Sequence, residues 1–405
     1  MILSIRCRIQ VSLAALWVAA GASGLTESEA LRLFRQGPYP LELQAAVAAA
    51  RADALRHSEY PNPSVGATFE GAGRTDFFVV EQPLSVNGRR NLLRQAGSSA
   101  VRATETRVEH GLRQLEARLR ESFFQLVHAQ SRKALIGRGI EELEGLVRTL
   151  RERELAGDVA RFDRLRAERE VAKLEIEASE ADTLIAAARA RLASFLGDAV
   201  SHELILAEGS LQAAYGLPGL HETLSAGLAA RSDYKVETER LEQLRLEGKA
   251  AERRRIPNPV VLGGVKRAEV RDGFVTGPVV SVSIDVPVFD KGRADRALAE
   301  AEADRTRARR RILEGLILAD IRGAHDALRI RRQVARDHVE QAGTRARLLL
   351  EIARLSFDEG ELAIADLLDA FRDVHLTRLR QLELQAAAKL AEVEFDRSVA
   401  RELLP

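Results

Sequence analysis

Apolar positions along the chain follow two periods. Over most of the length they recur at helical spacing, and over a few short windows they alternate. Val280, Val282, Ile284, Val286 and Val288 share one parity, while Ser281, Ser283, Asp285 and Pro287 share the other. Side chains alternate faces along a strand, so this stretch predicts a strand with one aliphatic and one polar face. An earlier window does the same, with Phe78, Val80, Leu84 and Val86 against Glu81, Pro83 and Ser85; Gln82 is the exception. Ser64–Glu70 and Val260–Lys266 alternate more weakly and predict a partner strand for each. Alternation of this kind fits the edge of a soluble sandwich. Runs of roughly 9–11 residues also fit tilted strands that cross a membrane.

Between these windows the pattern is helical. It runs from Thr26 to Glu59 with a break near Gly37-Pro38 and Pro40, and Ala46–Leu55 is alanine-rich. From Leu92 to Leu155 there is no proline to end a helix, although five glycines weaken it locally. A turn at Gly157-Asp158 precedes a return helix over Arg161–Leu196. Asp198–Pro218 is irregular apart from a short apolar run at Leu204–Ala207, and helix resumes over Leu220–Arg255. A second proline-free stretch runs from Gly292 to Glu359, turns at Gly360-Glu361 and returns over Ile364–Leu403. At about 1.5 Å per residue each long helix reaches about 100 Å, so it must lie against other long helices as a coiled-coil-like layer.

The same order is written twice. Tyr60-Pro-Asn-Pro63 recurs as Ile256-Pro-Asn-Pro259, 196 positions later. Glu81-Gln-Pro-Leu84 with Asn87-Gly-Arg89 recurs as Asp285-Val-Pro-Val288 with Lys291-Gly-Arg293, 204 positions later. The eight additional residues predict a longer loop around Arg267–Thr276. Gly157 to Leu165 matches Gly360 to Leu368 at an offset of 203. These matches predict two repeats, residues 23–217 and 218–405, each of helix, strand pair and long helical hairpin. The strand pairs lie at one end of the helices and the two turns at the other. Four strands cannot close a membrane barrel, and an open sheet in lipid leaves edge N–H and C=O groups unpaired. Strands in a membrane would therefore require several chains to share one barrel.

Composition narrows the function. Of 405 residues 30% are charged and 4% aromatic, the profile of long helices and not of several compact mixed cores. A net charge of +1 calls for no nucleic acid, and the arginine-rich run Arg305–Arg311 beside Glu300, Glu302 and Asp304 reads as a solvated helix face. Arg6 and Arg8, the apolar run Val11–Ala20 and Ala20-Gly-Ala22 predict an export leader over residues 1–22. Cys7, the single cysteine, falls inside it, so the exported chain would carry no thiol. The eight histidines include no pair at helical ligand spacing. No phosphate loop, dinucleotide fingerprint or nucleophile elbow is present. The reading is of a protein that is not an enzyme and needs no cofactor.

Taken together, the leader, the doubled Pro-Asn-Pro and strand pair, Gln82-Pro-Leu84 and Val286-Pro-Val-Phe289 before Gly-Arg, and the Gly-Asp and Gly-Glu turns resemble the TolC-type outer-membrane efflux proteins over essentially the whole exported chain. The stretches Glu81–Arg90 and Val286–Gly292 resemble its heavy-metal, CzcC-like branch. The resemblance implies a mainly α fold with a small β part: a homotrimer with a long α-barrel of helical hairpins and a shared twelve-stranded β-barrel, four strands per chain. It implies a duct from periplasm to exterior that meets a periplasmic adaptor and an inner-membrane pump. A periplasmic coiled-coil adaptor or scaffold is the alternative, but such a protein would carry compact β-domains around each hairpin.

The resemblance also points to sites. It places Gly157, Asp158, Gly360 and Glu361 in tip turns that contact the adaptor, and Asp366 and Asp369 at a periplasmic constriction. At i and i+3 these two carboxylates share one helix face, which a solvated acidic face also explains. Three-fold symmetry would gather them into a ring that attracts cations. The first copy keeps only Asp163, with Arg166 at the second position, and Phe357 and Leu362 stand where the family has a tyrosine and arginine latch. On the strands, Val280, Val282, Ile284 and Val286 are expected to face lipid, and Ser281, Ser283 and Asp285 the lumen.

Overall fold

The computed structural model describes residues 24–71, 74–197, 200–201, 203, 205–212 and 216–401. The leader with Cys7, and Leu204 in the apolar run, lie outside these residues. The chain begins with β1 (Leu25–Thr26) and α1 (Glu27–Arg35), whose N-terminus is closed by a capping box between Thr26 and Glu29. α2 (Pro38–Arg56) follows, with Gly37 as its N-cap. The expected break near Gly37-Pro38 separates α1 from α2, and Pro38 and Pro40 occupy the first turn of α2, where no intrahelical N–H is lost. Then come β2 (Ser64–Glu70), β3 (Thr75–Pro83), α3 (Arg89–Ala156) and α4 (Arg161–Leu196). After a short strand β4 (Ala207–Glu208), the series runs again as α5 (Leu220–Ala230), α6 (Ser232–Glu252), β5 (Pro259–Val270), β6 (Gly273–Ile284), α7 (Arg293–His338), α8 (Thr344–Asp358) and α9 (Ile364–Ser398).

The expected helix over Leu220–Arg255 is divided at Arg231, which takes an extended ψ of 115° and starts α6 anew. Its guanidinium is buried and bonded to Asp233, to Asp320 at 3.1 Å and to the Ser398 carbonyl. The second long helix is interrupted by a π-helical turn over Val339–Gly343. The last helix ends at Ser398, and Ala400 turns back with a φ of 54°.

The sheet has the order β2-β3-β5-β6, every pair antiparallel. The residues assigned to a longer loop instead lengthen the strands. Ala268 pairs with Val275 and Val270 with Gly273, leaving Arg271-Asp272 as a tight connection. At the other end β6 stops at Ile284, so Asp285 and Val286 lie beyond the strand on which the sequence had placed them. Opposite residues share a face, so Val65, Phe78, Val265, Val280 and Val282 lie on one side. That side is exposed, Val65 and Val280 to 82% and 79%, and Phe69 meets Phe78 edge-on at 5.9 Å. Phe77, Val79 and Val279, on the other side, are half-buried.

The helical body has two main cores. The first joins α1, α3 and α4 through Phe34, Leu119, Phe123, Leu126 and Leu192, with Ile205 beside β4. It is tied by a parallel pairing of Leu25 with Ala207 and Thr26 with Glu208. The second lies towards the helical turns and joins α3, α4, α8 and α9 through Ile136, Leu150, Ala167, Leu367 and Leu368.

Candidate functional site at the helical tips

Both tip turns end long helices in the same way. Gly157 has a φ of 87° and Gly360 a φ of 79°, the left-handed conformation that glycine adopts without a Cβ penalty. The Asp158 N–H donates to the Arg153 carbonyl at 2.9 Å and the Gly157 N–H to Glu154 at 3.1 Å. Correspondingly, the Glu361 N–H donates to Ser356 at 2.8 Å and the Gly360 N–H to Phe357 at 3.1 Å. This is the Schellman arrangement, which satisfies carbonyls a helix end leaves open. Asp158 and Glu361 are exposed.

The two turns lie side by side. The Arg153 guanidinium donates to Asp358 at 3.0 Å and sits 5.4 Å from the centre of the Phe357 ring. Phe357, noted in the sequence as a substitute for a latch residue, is thus a buried ring under a cation. Leu155 and Phe162, beside the Gly157 turn, are strongly exposed, as is Leu355 near Gly360.

Asp366 lies in the first turn of α9, its N–H donating to Ala363 at 3.1 Å; Asp163 lies in the first turn of α4 with the same bond to Ala160 at 3.0 Å. Asp366 and Asp369 line one groove of about 650 Å³ between α8 and α9, with Leu349, Ile352 and Arg345 on its walls. Asp373 lines it too. Sequence reasoning missed this third carboxylate, although its spacing of i+7 from Asp366 puts it on the same helix face. The acids differ in surroundings. Asp369 accepts from Arg372 at 2.6 Å, and Arg372 reaches Glu170 of α4 at 3.2 Å. Glu170 is pushed up by burial, but Lys173 and Arg372 outweigh this and hold it below the usual carboxylate range. In the first half, Arg166 lies over the Phe162 ring at 5.8 Å and Arg164 bridges Glu154 and Glu168.

Among the described residues no group of three metal-ligating side chains converges, and no helix is long and apolar enough to cross a membrane. What the arrangement offers is a long helical body, a row of acids near one end, and a four-stranded sheet with an exposed apolar face at the other.

A chain from Pseudomonas aeruginosa, described as a membrane protein, superposes with a TM-score of 0.75 at 18% identity, over 92% of each chain. The outer membrane protein VceC of Vibrio cholerae superposes at 0.74 with 16% identity, over 92% of this chain and 95% of that one. The fold is that of the TolC-type outer-membrane channels. In sequence, the cobalt-zinc-cadmium resistance protein CzcC of Cupriavidus metallidurans is 24% identical over 349 residues, 84% of this chain and 81% of its own. No family model matches the chain. Within this channel fold the acidic row and the paired glycine turns occupy the end of the helices away from the sheet, and among the described residues the two strand pairs between long helices form no compact β-domain of the adaptor kind.

Proposed function

We propose that this chain is the outer-membrane exit duct of a tripartite efflux system. The observation that carries the reading is the sheet: four strands, two open edges and an exposed apolar face at the head of helices about 100 Å long. Open edges in lipid cost several kcal/mol per unpaired group, and closed barrels need at least eight strands. Three copies sharing one barrel supply twelve strands, and their helices continue it as an α-barrel across the periplasm. Residues 1–22 act as the export leader, and residues 23–217 and 218–405 are the two repeats.

The tip turns at Gly157, Asp158, Gly360 and Glu361 meet the periplasmic adaptor, which links the duct to an inner-membrane pump. Asp366 and Asp369 form rings around the three-fold axis at the periplasmic constriction and favour cations in passage. The likeness to a cobalt-zinc-cadmium resistance protein supports heavy-metal cations as cargo. Planar-bilayer recording of the detergent-purified protein tests the reading. Cation-selective channels are expected, with selectivity and block by multivalent cations reduced in the Asp366→Ala, Asp369→Ala double variant. A protein that stays soluble without detergent, or a correctly assembled double variant with unchanged selectivity and block, would contradict it. On the sheet, Ile284→Arg should lower assembly in the membrane by about 2–4 kcal/mol and Ser283→Arg much less.

A further inference from the structure

The joint between strands and helices is built once inside the chain and left half-built twice at its edges. Inside, Asn258 of the second Pro-Asn-Pro reaches across to the loop that follows β3. Its Oδ1 accepts from the Val86 N–H at 3.1 Å and from the Asn87 N–H at 3.2 Å. Asn87 answers with its amide, donating to the carbonyls of Ile256 at 3.0 Å and Arg253 at 3.3 Å. The Leu84 N–H donates to the Pro259 carbonyl at 2.9 Å, and β3 stays paired with β5 as far as Pro83. One strand pair is thus stapled to the next by two side chains that each satisfy the other's backbone.

The sequence offsets say what should stand at the outer edges. Asn62 is the counterpart of Asn258, Asp290 and Lys291 are the counterparts of Val86 and Asn87, and Val288 that of Leu84. Asn62 lies ahead of edge strand β2 and Lys291 follows edge strand β6, on opposite sides of the sheet. Both are exposed, and neither side chain has a hydrogen bond or ion pair among the described residues. The Val288 N–H, lacking a neighbouring strand, folds back onto the Val286 carbonyl at 2.8 Å. β6 likewise stops at Ile284, short of Pro287, which is the counterpart of Pro83. The Asp290 carboxylate accepts from the Gly292 N–H at 2.9 Å, one position earlier in the turn than the bond of Asn87 to the Arg89 N–H at 3.0 Å.

We propose that Asn62 of one copy and Lys291 of the next form this same joint across the boundary between chains. The Asn62 Oδ1 accepts from the Asp290 and Lys291 N–H groups of the neighbouring copy. The Lys291 ammonium, with three donors, faces the carbonyls of His57 and Tyr60 of the copy that supplied Asn62. The contact is head-to-tail, so each copy uses both halves and the assembly closes as a ring. It rests on the channel reading above and adds the residues that join each copy to the next around the barrel.

Disulfide trapping tests it in the full chain carrying Cys7→Ser, expressed in a Gram-negative outer membrane. Asn62→Cys with Lys291→Cys should give covalent dimers and trimers on non-reducing gels, and each single variant only monomers. Asn87→Cys with Asn258→Cys should close within one chain, as a positive control. Sedimentation in detergent is run alongside. An assembled oligomer with no cross-linked bands overturns the joint and leaves the channel reading standing; a monomer in detergent overturns both. A second measurement guards against variants that merely assemble poorly. Asn62→Leu should lower the temperature at which oligomers dissociate, while Asn62→Asp, which keeps the acceptor, should restore it. An unchanged dissociation temperature for Asn62→Leu also overturns the joint.

Discussion

The middle of the helical body and its tip are made largely of the same helices, yet they place their charges in opposite ways. In the middle the charges are inside. Arg120 of α3, 4% exposed, donates to Asp396 of α9 at 3.0 Å and also to Glu27 of α1. Glu392, 1% exposed, accepts from Lys389 at 2.7 Å and from Arg332 of α7 at 2.8 Å. The Lys389 ammonium also lies 4.8 Å from the Phe124 ring centre. Towards the tip, Arg153–Asp358, Arg151–Glu168 and Arg354–Glu142 are partly exposed on both sides, with Glu170 as a buried exception. Removing one partner of a buried pair strands the other charge, at about 3–5 kcal/mol, whereas an exposed pair contributes about 0–1 kcal/mol. The difference teaches where this molecule is fixed and where it can rearrange: the packing of α3, α7 and α9 is held firmly at mid-height, and the turns are held lightly.

The largest expected effect follows from this directly. Arg120→Leu leaves Asp396 and Glu27 without their guanidinium and should cost about 3–5 kcal/mol, read as loss of helical circular dichroism at lower temperature in detergent. A cost below 1 kcal/mol would erase the distinction between the two regions. A pH series probes the same contrast. Burial pushes Glu392 up, but Lys389 and Arg332 outweigh it and hold its carboxyl below the usual range. Its contribution to stability is therefore complete above the ordinary glutamate range and is lost as pH falls through the depressed value. Glu392→Gln should be less stable at neutral pH and show a flatter acid limb than the parent. Asp396 runs the other way, because burial outweighs Arg120 and Arg401 and raises its carboxyl. Its own ionisation thus weakens the fold as pH rises through the range between its ordinary and raised values, and Asp396→Asn should flatten that limb instead.

Smaller effects belong to the tip. Gly157→Ala and Gly360→Ala place a Cβ in a left-handed conformation and should each cost about 1–2 kcal/mol. Export assays on these variants separate a folding role from the proposed adaptor-contacting one: assembled protein retained with export lost favours contact, and assembly lost favours folding. The smallest change in stability is expected for Arg153→Ala, at most about 1 kcal/mol. In bilayers the same variant should nevertheless conduct more readily, because the two turns lose the cation that joins them. Unchanged conductance would place the hold on the tip elsewhere.

Much of the fold was legible from the residues, for identifiable reasons. The long helix from Arg89 to Ala156 could be bounded because glycine stands at both ends and no proline lies between. Strand β2 was read to the residue, since Pro63 and Gly71 bracket its alternation. The hairpin of β5 and β6 was misjudged at its turn: the eight residues that the second copy has beyond the first were assigned to a loop around Arg267–Thr276, although Asp272-Gly273 carries the Asp-Gly signal of a tight hairpin. Pairing between Leu25 and Ala207 joins positions too far apart for any local pattern to show. The buried ion pairs were equally invisible, because which arginine meets which acid depends on the rotation of one helix against another. At the tip, the two glycine turns were legible from the repeat and Asp366 and Asp369 were singled out by the resemblance, whereas Asp373 was passed over despite its i+7 spacing and the Arg153 bridge emerged only when α8 was set beside α3.

The π-helical turn at Val339–Gly343 has a consequence for the screw of the second long helix. An α-helix advances about 100° per residue, and a π turn absorbs one residue more than an α turn does. Everything after Gly343 is therefore rotated by about one residue's angle relative to a straight continuation of α7, while α3 runs through its whole length without such a shift. The seam of apolar side chains on α7 and the seam on α8 belong to different azimuths. That change of phase lets Leu350, Ala353 and Phe357 turn inward against α3 and α9, and it leaves Leu349, Ile352 and Asp366 facing one another across the groove. The second long helix is, in effect, two helices keyed at different angles on one shaft.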